Sequence, residues 1–84
     1  MSLTHFDFTG NGDFIRQSIP FGSVTPTTVV AASITEIDGD GLPFVGAATV
    51  EVHNVAPRTG FIDVVLAVLW DEPLRCRIHL AIFD

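Results

Sequence analysis

Five apolar side chains near the C-terminus, Leu74, Cys76, Ile78, Leu80 and Ile82, recur at every second position, with Arg75, Arg77 and His79 between them. A strand sends alternate side chains to opposite faces, whereas a helix would scatter these five around its axis. The segment therefore predicts a β-strand with one face in a core. The same period recurs upstream, where Ala47 to Val55 sets Ala48, Val50 and Val52 against Thr49, Glu51 and His53. Thr27 to Ile37 is rich in β-branched residues and stops at Asp38-Gly39-Asp40-Gly41, residue types that tolerate the positive φ of turns. Leu3 to Phe8 and Phe14 to Ile19 supply two further strands on either side of Gly10-Asn11-Gly12-Asp13, the second ending before Pro20. No window carries a helical period, and no repeat, linker or low-complexity stretch divides the chain. The fold expected is all-β, an antiparallel β-sandwich of five or six strands forming one domain over residues 1–84.

The segment Phe61 to Trp70, which follows the break Ala56-Pro57-Arg58-Thr59-Gly60, differs from its neighbours. Ile62, Val64, Leu66, Val68 and Trp70 fill one face, yet after Asp63 the other face is apolar as well, with Val65, Ala67 and Leu69. In a two-layer sandwich one face of each sheet looks outward, so a second apolar face calls for a cover. A neighbouring subunit is the expected cover, with Val65, Ala67 and Leu69 at the interface.

Size and composition lead the same way. A chain of 84 residues is a marginal independent folder, and the single Cys76 excludes an intrachain disulfide. Hydrophobic residues make up 48% of the chain and charged residues only 17%, which leaves apolar surface to be covered by self-association. The net charge is −6, and the only basic side chains besides histidine are Arg16, Arg58, Arg75 and Arg77, so no basic patch suited to nucleic acid is expected. The longest apolar run, Val64 to Trp70, is far short of a membrane span, and no export signal is read near the N-terminus. The chain reads as soluble, with its compartment open.

From Pro20 to Phe83 the order of short motifs resembles the H-type lectin domain, the family of the snail agglutinins and the C-terminal domain of discoidin. Three blocks carry the resemblance: Pro26-Thr27-Thr28-Val29-Val30 running on to Ile37-Asp38; Val52-His53-Asn54-Val55 leading to Thr59-Gly60-Phe61; and a strand ending in Trp70 followed by a polar loop and a final strand closing on Phe83. The resemblance implies a six-stranded sandwich that assembles as a trimer, or as two trimers. It also implies binding of glycans of the galactose and N-acetylgalactosamine type in clefts between protomers. Two departures bear on that binding. Ala47 stands where the family has its sugar-binding arginine, and Cys76 stands where it has a tyrosine.

The residues themselves offer a site in Trp70-Asp71-Glu72-Pro73-Leu74-Arg75. An aromatic face suits the C–H face of a sugar ring, and the carboxylates of Asp71 and Glu72 and the guanidinium of Arg75 suit its hydroxyls. The plainer alternative is an ordinary charged hairpin turn. Arg77 and His79, with Arg75, form a stripe that either faces solvent or joins an intersubunit network with Glu51 or Asp63, since buried like charges need partners. Asp38-Gly39-Asp40-Gly41 lacks the further ligands of a calcium loop and reads as a turn. His5, His53 and His79 lack metal-ligand spacing, and no catalytic motif is present, so neither a cofactor, a metal nor an enzyme is expected. The function expected is that of an oligomeric lectin-like module; the alternative, from a different class, is a structural or attachment module such as a trimeric spike or fibre knob.

Overall fold

The computed structural model describes all 84 residues and contains strands, turns and no helix. Seven strands follow in order: β1 (Ser2–Gly10), β2 (Gly12–Pro20), β3 (Val29–Ile37), β4 (Pro43–Phe44), β5 (Thr49–Arg58), β6 (Phe61–Leu69) and β7 (Leu74–Phe83). They form two antiparallel sheets, one ordered β1-β7-β3-β4 and the other β2-β6-β5. Seven strands replace the six expected. The addition is β4, two residues that pair with Glu36 and Ile37 after the turn at Asp38, too short a piece to show any alternation.

The alternating patterns pack against each other as their period requires. Ile62, Val64, Leu66 and Val68 of β6 and Cys76, Ile78, Leu80 and Ile82 of β7 form the buried centre, joined by Ile19 and Val24. Each of these two strands is the middle of its sheet or flanked on both sides, so their inner faces are the ones sealed from water. Phe6, Phe8, Ile15, Val30, Ile34, Val50 and Val52 close the rim of the core. Along one side of the sandwich β3 and β5 approach closely without forming a ladder. Along the other, β1 and β2 belong to different sheets and are joined by Asn11 alone.

Two strand ends run past the prolines that were expected to stop them. Strand β2 includes Pro20 and β5 includes Pro57. Both are edge strands, where a missing N–H need not break a ladder. Strand β5 turns into β6 through Thr59-Gly60, with Arg58 opposite Phe61 and Gly60 at φ 83°. A side chain there would be strained, which is why the Thr-Gly pair marks this hairpin.

Asp63 and Ala67, on the outer face of β6, are already buried within the single chain, at 7% and 1% exposure, whereas Leu69 is 44% exposed. The flanking strands explain this: Ser18 and Ala56 stand opposite Asp63, and Glu51 stands opposite Ala67. Of the apolar residues on this outer face, Ala67 is thus covered within the chain, Val65 in part, and Leu69 is left open.

Candidate functional site

The β1–β2 corner, the β3–β4 turn and the β6–β7 loop meet at one pole of the sandwich. Trp70 lies here, 43% exposed, just beyond the last residue of β6. Its amide donates to the carbonyl of Val68 at 3.1 Å, and its own carbonyl accepts from Asn11 Nδ2 at 3.0 Å. Asn11 thus ties the loop to the corner between the sheets and fixes the backbone that carries the indole.

Asp71, Glu72 and Pro73 follow, all exposed, and neither carboxylate has a hydrogen bond or ion pair within the chain. Arg75, the second residue of β7, lies on the outer face of its sheet, and its Nη1 donates to the carbonyl of Asp38 at 3.3 Å. The loop therefore presents an indole face and two free acceptors at this pole, with the guanidinium drawn toward the neighbouring turn. In that turn Asp38 Oδ1 accepts from the amides of Asp40 and Leu42, both at 2.9 Å. The acidic motif is a turn closed by its own carboxylate.

The only charge in β6 sits in a different environment. Asp63 accepts from Ser18 Oγ at 2.6 Å, Arg16 Nη2 at 2.7 Å and Arg58 Nη1 at 3.4 Å. These bonds hold its carboxyl below the usual carboxylate range, the serine contact contributing most and burial opposing it. Arg58 also lies over the ring of Phe61, 5.3 Å from its centroid. Neither arginine was suggested as the partner of Asp63 by sequence; the signal was its lone charge in an apolar strand, which demands a cation from a flanking strand.

Arg75, Arg77 and His79 share one outer face, on β7, where the acidic partner within the chain is Asp7 of β1. Arg77 grips Asp7 bidentately, while Asp63 belongs to the other sheet and Glu51 lies 3.5 Å from His53. His79 meets His5 edge to face, with ring centroids 6.4 Å apart, a pairing that their distance in sequence concealed. Arg77 and His79 thus lie on one outer face of the sandwich and Val65, Ala67 and Leu69 on the opposite one.

Two shallow depressions mark the surface, and neither adjoins Trp70. One, of about 370 Å³, runs over the outer face of β1, β7 and β3 past Leu3, Ala31, Ser33, His79 and Ala81. The other, of about 360 Å³, lies beside Pro26, Pro57, Arg58 and Phe61. Cys76 is fully buried next to Glu36 of β3, and burial foremost, then the Glu36 charge, pushes its thiol up to about 11. Such a thiol is a core hydrophobe rather than a nucleophile at neutral pH. Comparison with family models, curated proteins and solved structures returned no match.

Proposed function

We propose that this chain is a carbohydrate-binding β-sandwich of lectin character, which holds sugar at the Trp70 pole. The observation that carries the reading is the half-exposed indole of Trp70, backbone-anchored by Asn11 and followed by the unpartnered carboxylates of Asp71 and Glu72. The indole supports the C–H face of a pyranose, and the two carboxylates accept from its hydroxyls. Glycans ending in galactose or N-acetylgalactosamine are the first candidates, on the resemblance set out above. Ala47 lies exposed in the loop before β5 and supplies no hydrogen bond to a ligand from its side chain, so binding at one site is weak. A weak site of this kind gains useful strength through several copies acting together.

The test is a glycan array probed with purified protein and with Trp70→Ala. Binding to galacto-configured glycans that disappears in the variant supports the reading. Absence of binding at high protein concentration sinks it.

A structural or attachment role is the second reading. It is favoured by the large apolar side chains left outside the core, among them Leu3, Phe14, Val29, Leu42, Val45 and Phe83, each at least half exposed.

A further inference from the structure

A sheet edge offers unpaired backbone donors and acceptors to any strand that can reach it, and proteins usually blunt such edges. This sandwich has four edges, and three carry a blunting device. Strand β2 is bulged between Gly12 and Ile15 and ends in Pro20. Strand β5 is bulged between Val52 and Asn54 and contains Pro57. Strand β4 is two residues long, begins with Pro43 and pairs only with Glu36 and Ile37, and the rest of the β3 edge beyond it runs close against β5. Strand β1 carries none of these. It pairs with β7 without interruption from Ser2 to Gly10, and its sequence SLTHFDFTG contains no proline.

We propose that β1 is the edge on which two copies of this chain join, running antiparallel about a two-fold axis through Phe6. That register is singled out by charge. Centred on Phe6, His5 of each copy stands opposite Asp7 of the other, Leu3 opposite Thr9, and Thr4 opposite Phe8. Moving the axis one step along the same face places His5 opposite His5 or Asp7 opposite Asp7, like groups that disfavour pairing. Both oxygens of Asp7 already accept from Arg77, yet each keeps a lone pair for an imidazole N–H. The result is one continuous eight-stranded sheet, with Phe6 and Phe8, now half-buried at the rim of the core, covered on their open side. The shallow groove past Leu3 and Ala81 lies beside this seam and continues the contact.

A single strand pair buries less than the roughly 1,200 Å² of a standard stable interface, so the dimer is weak and depends on concentration. Sedimentation equilibrium of the unmodified chain from about 1 μM to about 1 mM, a range that spans millimolar to micromolar affinities, should show the mass rise from 9.1 kDa to twice that value. A mass that stays at one chain, or that rises to three, overturns the proposal.

The register is tested by mixing two variants, Leu3→Cys and Thr9→Cys, under mild oxidation. Both positions are exposed, and Cys76 is buried, so the new thiols are the ones that react. Opposed residues in an antiparallel pair have Cα atoms about 4.5–5.5 Å apart, within disulfide reach. Each variant alone places its own thiols about 20 Å apart in the dimer, six strand positions away. A disulfide that forms several-fold faster in the mixture than in either variant alone is expected. Equal rates in all three samples refute the register.

Discussion

Arg77 holds Asp7 across the β1–β7 ladder with two parallel hydrogen bonds, Nε to Oδ1 at 2.7 Å and Nη2 to Oδ2 at 3.0 Å. The same guanidinium donates through Nη1 to the carbonyl of Gly41 at 3.1 Å, so one side chain links β1, β7 and the β3–β4 turn. A planar fork of donors suits this geometry, and a lysine would not reproduce it. Arg77→Lys should therefore lower the thermal midpoint and speed amide exchange in β1 and in the Asp38–Leu42 turn, while β6 amides keep their protection. Hydrogen exchange resolved by strand checks this.

Acid should weaken the fold through its depressed carboxylates, Asp63 and Asp7 within the sheets and Asp84 at the chain end, held low chiefly by its hydrogen bond from Ser2. Asp63, held low chiefly by Ser18 and also by Arg16 and Arg58, and Asp7, held low chiefly by its hydrogen bonds from Arg77, are both more acidic in the folded chain. A depressed folded pKa contributes stability that is present in full above the unfolded value, about 3.9 for aspartate, and is lost as pH falls through the folded value. The thermal midpoint should thus be level from neutral pH to about 5 and should fall steeply below about 4. Asp63→Asn should have a lower midpoint at neutral pH and a shallower fall in acid. Melting curves across pH 2–7 for both proteins give the comparison.

The core carries little redundancy. Leu66 is fully buried at the centre of β6, and truncation of such a residue costs roughly 2–5 kcal/mol. A domain of 84 residues has roughly 4–13 kcal/mol of stability in all. Leu66→Ala should then shift the urea midpoint down by about 2 M or more, given the slope of about 1 kcal/mol per molar usual for small chains.

Cys76 offers a probe of opening. Buried and with its thiol pushed up to about 11, it should not react with a disulfide reagent at pH 8 in the folded protein. Its labelling should follow the rate of unfolding and become immediate in denaturant. Fast labelling of the native chain would contradict the burial described. Cys76→Ser should destabilise by roughly 1–3 kcal/mol, because a hydroxyl would replace a thiol that needs no strong partner.

The strand pattern was legible because alternation is local. Leu74 to Ile82 and Ile62 to Val68 each declare their buried faces in consecutive residues, and these faces form the core. Which sheet a strand joins is a matter of distant pairing, and the alternation of β2 and β7 carries no sign that they end up in different layers. The partners of Asp63 on the flanking strands, Arg16 and Arg58, depend on that distant pairing. The exposure of Trp70, Asp71 and Glu72 was legible from a polar loop between two strong strands, whereas the anchoring by Asn11 depends on a contact 59 residues apart in sequence.

The two chain ends lie side by side at the pole opposite Trp70, where the N-terminal amine is 3.5 Å from the Asp84 carboxylate and Ser2 Oγ donates to it at 2.8 Å. The consequence is mechanical. Tension applied between the two ends would open the β1–β7 ladder like a zipper, loading its hydrogen bonds one after another. Tension between the N-terminus and the Trp70 pole would instead shear the whole ladder at once. The chain is soft to the first pull and stiff to the second, so it transmits load along β1 far better than it resists being peeled open by its ends.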